Sequence, residues 1–242
     1  MIHLPQLDAH VARFPDPDTA LREPNGLLAI GGDLSPERLL AAYAQGIFPW
    51  FGPDEPLLWW SPDPRCVFRT ETLRADRSLR RQWRGKHWRL TVDRAFRTVM
   101  EACAAPRHGE PGTWIVPEMI DAYCRLHVLG HAHSVEAWDG ERLIGGVYGV
   151  AIGKLFCGES MFSAVSGGSK TALMGLATLL RALGCPLLDS QVANTHTLRL
   201  GAVEIPRATY LHEAARLAAL PGRVGSWARY ASQLAPPDAA HR

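Results

Sequence analysis

Two short stretches of the chain combine residue types that could do chemistry. In Leu155-Phe156-Cys157-Gly158-Glu159-Ser160-Met161-Phe162-Ser163 a single carboxylate interrupts an apolar run. Such a run reads as a buried strand, and a carboxylate inside it is costly unless paired or put to use. Gly158 beside it admits close approach of a ligand to the backbone. The alternative, an edge strand with Glu159 turned to water, fits poorly with so many apolar neighbours. In Asp189-Ser190-Gln191 the two functional residues are spaced by two, which in a strand points both to one face. The Asp could orient the Gln amide, which could accept from an amine or donate to an oxyanion. The plainer reading is a strand end capping the next helix, a part that suits Asn194. His131, His133 and His196 have no Cys or carboxylate constellation around them in the sequence, so no metal site is expected. There is no G-x-S-x-G elbow, and Cys157 has no recognisable His partner, so nucleophilic hydrolysis is unsupported.

The elements that must position these residues can be read from turn and cap signals. Ser35-Pro36 opens a helix that Gly46 stops. Trp59-Trp60-Ser61-Pro62-Asp63-Pro64 marks a boundary. From Arg65 to Arg107 there are twelve Lys and Arg against four Asp and Glu, a local net of +8. Within that span Arg77, Arg80, Arg81 and Arg84 share one face of a predicted helix. Trp88–Val92 reads as a strand, and Asp93 caps a helix to about Ala104. Pro117 opens a helix with Met119, Ile120, Tyr123, Leu126 and Leu129 on its apolar face, closed by Gly130. Strands follow at His133–Trp138, Arg142–Val150 and Leu155–Phe162, the first two joined by an Asp139-Gly140 turn. Ser166-Gly167-Gly168-Ser169 leads into a helix through Leu183. Then come a strand at Pro186–Gln191, a short helix at Thr195–Leu200 and a β segment from Val203 to Leu211. The order from Trp88 on is β-α-α-β-β-β-α-β-α-β-β. It resembles the GCN5-related acyltransferase fold, an α/β (α+β) mixed sheet, and Asn194-x-x-x-x-Leu198-x-x-Gly201-Ala202 is similar to a helix of that fold. Ala164 to Thr171, however, lacks the glycine pattern by which such enzymes cradle the pyrophosphate of CoA, and it lacks the Gly-Lys-Thr of a P-loop. An ordinary helix start and a direct phosphate site are both open for it.

The bulk numbers narrow the class. At 242 residues and 47% hydrophobic, the chain can bury one full core and carry a smaller domain beside it. A net charge of +2 confines any nucleic-acid surface to a local patch. Five cysteines without C-x-x-C spacing read as reduced thiols in a cytosol. Asp8 and Pro5 interrupt any apolar leader, and no stretch reaches the ~20 apolar residues of a membrane span.

Several long stretches, in order, resemble the leucyl/phenylalanyl-tRNA–protein transferases. They are Arg22-Glu23-Pro24-Asn25-Gly26-Leu27-Leu28-Ala29, Gly31-Gly32-Asp33-Leu34-Ser35-Pro36, Gly46-Ile47-Phe48-Pro49-Trp50-Phe51 and Trp59-Trp60-Ser61-Pro62-Asp63-Pro64-Arg65. Further on come Gly112-Thr113-Trp114-Ile115, Leu129-Gly130-His131-Ala132-His133-Ser134, Phe156–Ser163 and Ser169-Lys170-Thr171-Ala172-Leu173. The resemblance implies a small N-terminal domain (1–63) and an acyltransferase-like catalytic domain (64–235); the tail 236–242 reads from its own residues as disordered. The resemblance also implies transfer of Leu, Phe or Met from aminoacyl-tRNA to proteins beginning with Arg or Lys, which marks them for N-end rule degradation. No cofactor, no metal and no membrane are expected, the setting is read as cytoplasmic, and the chain is expected to be a monomer. By position, Glu159, Asp189 and Gln191 match the polar catalytic residues. Val147, Ile152, Phe156 and Met161 match the apolar amino-acid pocket, with Gly158 and Ser169 counted among the substrate-binding positions. Val147 departs from the larger Leu or Met common there and leaves the pocket floor undetermined. Trp50 and Trp114 match positions near the 3′-terminal adenosine, with core packing as the alternative. Arg77, Arg80, Arg81 and Arg84 match the surface that meets tRNA phosphates, a solvated helix face being the alternative. A cell-wall peptide transferase, a CoA acetyltransferase and a non-catalytic RNA-binding module are the rivals.

Overall fold

A computed structural model describes residues 4–8, 11–106 and 113–234; the tail 236–242, Arg107 and Gly112 lie outside the described residues. The first sheet has the order β1-β2-β4-β3, from β1 (Gln6–Leu7), β2 (Leu27–Gly31), β3 (Phe48–Pro49) and β4 (Leu58–Trp60), with helix α1 (Pro36–Ala44) between β2 and β3. Helix α1 starts as its residues dictate. The Ser35 side chain accepts from the Arg38 N–H, Pro36 occupies the first turn, and Gly46 takes φ 72° just past its end.

The second sheet holds the remaining strands. These are β5 (Arg65–Arg69), β6 (Trp88–Val92), β7 (Ala132–Asp139), β8 (Arg142–Ile152), β9 (Leu155–Ser163), β10 (Leu187–Asp189) and β11 (Val203–Ile205), in the order β11-β5-β10-β9-β8-β7-β6. Only the β9–β10 pair is parallel. Strand alternation gives this sheet two apolar faces. On one, Ala132, Tyr148, Val150 and Cys157 share a core with α1, α3 (Phe96–Ala104), α4 (Pro117–Val128) and the first sheet. On the other, Val135, Ala137, Ile144, Val147 and Phe156 pack under α5 (Gly168–Ala182). Helix α5 comes very close to the sheet, because a Cβ on Gly145 would lie 2.2 Å from the Gly168 carbonyl carbon. Helix α2 (Arg77–Arg84), capped by Asp76, follows β5, and α6 (Thr195–Arg199), capped by Asn194, follows β10.

Four expectations are corrected. Asp93 does not cap α3, which starts at Phe96 without a side-chain cap. Asp93 takes φ 56°, and its carboxylate instead accepts from the main-chain N–H groups of Ser134 and Trp227 and bonds His133 Nδ1. Leu129 belongs to no buried face; it is 52% exposed. The start of α5 is the left-handed Gly167 with no side-chain cap; Ser163 Oγ, from β9, takes the Ser169 N–H at 3.0 Å. The β segment expected to reach Leu211 ends at Ile205, and α7 (Arg207–Ala218) follows. Pro206 fixes its start, and Tyr210, Ala214 and Leu217 supply the buried stripe at helical spacing.

Candidate active site

Strands β9 and β10 pair only over Leu155–Cys157 and Leu187–Asp189. Strand β10 then ends while β9 continues, and the divergence opens a cleft of about 680 Å³. Opposite it, the β8–β9 register shifts. Tyr148 faces Ser160 and Gly149 faces Gly158, so Glu159 has no partner in β8. This one-residue bulge re-aims the side chain, and Glu159 turns into the protein, 9% exposed.

Its neighbours are neutral donors. Gln191 Nε2 donates to Glu159 Oε1 at 2.8 Å and the Tyr123 hydroxyl donates to Oε2 at 3.1 Å, with the Tyr43 hydroxyl bonded in turn to Tyr123. Burial pushes the Glu159 carboxyl up to about 7; the tyrosine and Gln191 hydrogen bonds pull it down, and the charge of Asp189 adds to the rise. Burial, then the charge of Glu159, holds the Tyr43 and Tyr123 hydroxyls far above the usual phenol range, so both remain protonated donors.

Asp189 has a different environment. Arg65 Nε and Nη2 grip its two oxygens at 2.8 and 2.7 Å. The Tyr210 hydroxyl and the Gln191 main-chain N–H complete the set at 2.8 and 2.9 Å. Asp189 and Gln191 do not form the extended pair their spacing suggested. Gln191 leaves the strand with φ 57°, its side chain goes to Glu159, and Asp189 holds only its backbone. Arg65, counted in the sequence with the basic stretch that runs to Arg107, is fully buried beside Asp189. Cys157 sits nearby, its thiol pushed well above the usual range by burial and by Asp189, which keeps it from serving as a thiolate.

Most of the residues singled out in the sequence meet here. Glu159, Asp189 and Gln191 line the cleft with Trp50, Trp114, Gly158 and Ser169. Val147 and Met161, paired across β8 and β9, form an apolar wall with Phe68, Leu173 and Leu188. Trp50 remains 39% exposed at the mouth. Ile152 and Phe156 do not line the cleft. Ile152 ends β8 opposite Leu155, far along the strands from the Gly158–Ser163 opening. Phe156 is fully buried and packs on Trp227, ring centroids 5.8 Å apart. Arg77, Arg81 and Arg84 are exposed on α2, whereas Arg80 is half-buried with its Nε on the Ala75 carbonyl. Helix α2 abuts the start of α5, where Lys170 pairs with Asp76 at 3.6 Å. The N–H groups of Gly168 and Ser169 are already bonded, to Val165 O and Ser163 Oγ, which leaves fewer donors for a pyrophosphate there. Among the described residues no group of three His, Cys, Asp or Glu is arranged to hold a metal ion, and no helix is long and apolar enough to cross a membrane.

Tyr43, Tyr123, Tyr210 and Arg65 are not identifiable from the sequence as parts of the site. Tyr123 reads only as apolar helix face, and Arg65 only as charge. The one signal is the Trp59–Arg65 stretch, which places a permanently charged side chain directly after a turn that leads into a buried strand.

Comparison with known proteins assigns the family. The family model described as leucyl/phenylalanyl-tRNA protein transferase matches residues 67–215, and that of its N-terminal domain matches residues 32–63. A leucyl/phenylalanyl-tRNA–protein transferase of Xanthomonas axonopodis pv. citri (strain 306) is 57% identical over 237 residues, covering 96% of this chain and 95% of that one. One from Shigella dysenteriae serotype 1 is 56% identical over 211 residues, covering 87% and 89%. Among solved structures, a functionally unknown conserved protein from Staphylococcus epidermidis ATCC 12228 is 13% identical with a TM-score of 0.40, covering 74% of this chain and 68% of its own. With both family models matched in sequence order and relatives similar over most of their length, the chain belongs to the leucyl/phenylalanyl-tRNA–protein transferase family.

Proposed function

We propose that this chain moves Leu, Phe or Met from aminoacyl-tRNA to the N-terminal Arg or Lys of acceptor proteins, marking them for N-end rule degradation in the cytoplasm. The observation that carries the reading is one cleft with an apolar wall for the donor side chain and a Glu159–Gln191 pair beside it. The acceptor's neutral α-amine attacks the ester carbonyl and the ribose oxygen leaves. Gln191 commits Nε2 to Glu159, which leaves its Oε1 to accept an N–H of the attacking amine. An ionised Glu159 polarises that amide and strengthens it as an acceptor. Neutral Gln is not a base, so a substrate group such as the ribose 2′-hydroxyl carries the proton to the leaving oxygen. Much of the acceleration then comes from holding amine and ester together, an effect worth up to roughly 7–11 kcal/mol.

Val147 and Met161 shape the amino-acid pocket, Met161 adapting to side chains of different depth. Trp50 and Trp114 flank the terminal adenosine, and Gly158 and Ser169 border the ester. Arg77, Arg80, Arg81 and Arg84 meet acceptor-stem phosphates. The test is incubation with labelled Leu-tRNA and a peptide beginning with Arg, followed by mass spectrometry. Leucine on the peptide N-terminus without ATP, metal or CoA is the expected result. Transfer from acetyl-CoA but not from Leu-tRNA would overturn the reading.

A further inference from the structure

We infer that Arg65 is a positioning residue of this site, tying the lip that carries Trp50 to the lip that carries Gln191, and that Asp189 acts through Arg65 and the main chain of Gln191 and not on the substrate. The inference rests on the transfer reading above.

Asp189 has nothing left to offer a substrate. Oδ1 accepts from Arg65 Nε and from the Gln191 N–H, and Oδ2 accepts from Arg65 Nη2 and from the Tyr210 hydroxyl. A carboxylate has about four lone-pair sites, so these four bonds saturate it, and the group is wholly buried. The guanidinium is equally committed. Its third donor edge reaches the Gly46 carbonyl at 3.0 Å. Its Cζ lies over the rings of Phe48 and Tyr210, 4.9 and 4.4 Å from their centroids. Gly46 and Phe48 lead directly into Pro49 and Trp50, which line the cleft with Phe48.

On the other side the conformation of Gln191 needs holding. A φ of 57° is uncommon for a side chain of this kind and persists only where surroundings over-determine it. Two bonds fix its main chain, N–H to Asp189 Oδ1 and carbonyl to the Cys66 N–H, at 2.9 and 3.0 Å. The first depends on Asp189, and the second on the residue next to Arg65. One buried group therefore sets the separation of the two lips. A lysine could not do this, because it lacks the planar fork and the stacking faces.

The experiment compares wild type, Arg65→Lys and Tyr210→Phe in steady-state Leu transfer and in hydrogen exchange. Tyr210→Phe keeps its ring on the guanidinium and removes one bond, so it carries the test if Arg65→Lys does not fold. In Arg65→Lys kcat should fall about 10²-fold, as a misplacement near 1 Å can cause. KM for Leu-tRNA should rise while KM for peptide moves less, and residues 46–50 and 189–192 should exchange faster together. Tyr210→Phe should lose about tenfold in kcat, the scale of one charged hydrogen bond. Wild-type kcat in a variant that is merely less stable, or loosening confined to one lip, overturns the inference. Coupled loosening of both lips in a protein that transfers nothing supports the bridge and overturns the transfer reading alone.

Discussion

Two buried carboxylates border the same cleft, and they are held in opposite ways. Asp189 has a cation in bidentate contact and two further donors. Glu159 has only neutral partners, Gln191 and Tyr123. The first arrangement sets the attraction of a cation and a full set of hydrogen bonds against the desolvation of a buried group. The second offsets desolvation only in part, and burial pushes the carboxyl up to about 7. Burial alone does not set how a carboxyl is held; its partners do. One carboxylate holds the frame, and the other stays poised to change charge at working pH.

The largest effect should come from breaking the compensated pair. Arg65→Ala strands Asp189 without its cation and should cost about 3–5 kcal/mol of stability, the usual penalty for an orphaned buried charge. Urea denaturation measures it, and a loss below about 1 kcal/mol would show that the pair is not what makes Asp189 tolerable there.

Glu159→Gln should do the reverse. The folded value of about 7 lies above the reference 4.5. Between those values the folded protein keeps a proton that the unfolded chain has released, so stability falls as pH rises through the window. The amide removes that penalty, and the variant should exceed wild type by on the order of 3 kcal/mol at about pH 8, an advantage that disappears near pH 4.5. Its kcat should nevertheless drop by ~10²-fold. The rising limb of the wild-type pH–rate profile near 7 should vanish, leaving only the limb of the acceptor amine. A profile unchanged by Glu159→Gln would assign that limb elsewhere.

The arginines of α2, three exposed and Arg80 half-buried, sharpen the contrast with Arg65. Replacing Arg77, Arg80, Arg81 and Arg84 by Ala should leave folding intact and raise KM for charged tRNA more than for peptide. Every phosphate left without its arginine should flatten the logarithmic salt dependence of tRNA binding by roughly 0.7–0.9. Equal changes in both KM values would remove α2 from the tRNA surface. The smallest effect is expected at Tyr123→Phe, which deletes one donor to Glu159. The pH midpoint of kcat should move upward by less than about one unit, because the charged form then has one hydrogen bond fewer. A downward shift would contradict the donor role of Tyr123.

The elements are legible wherever local rules decide. Ser35-Pro36, Asn194 and Gly46 act as caps and stops where their types place them, and strand β6 runs over the residues its pattern indicates. Glu159 is legible because a carboxylate in an apolar run needs an explanation. Its direction is not, since the register shift that frees it from β8 is a property of two strands together. The start of helix α7 reads as a strand because Val203 and Ile205 set a period of two that Pro206 ends. Phe156 and Ile152 have the residue types of a pocket, but which end of the strands diverges is settled by where β10 stops.

The amino-acid sequence by itself determined most of the secondary elements, the family and three polar residues of the site, Glu159, Asp189 and Gln191, because caps, periodicities and long matching stretches are local properties. Only the tertiary structure decided which acid is paired with a cation and which has neutral partners. Arg65 and Asp189 stand 124 residues apart in the chain, Tyr123 and Glu159 36. The charge state of a buried carboxyl follows from what lies within a few ångström of it, and over such separations only folding determines that.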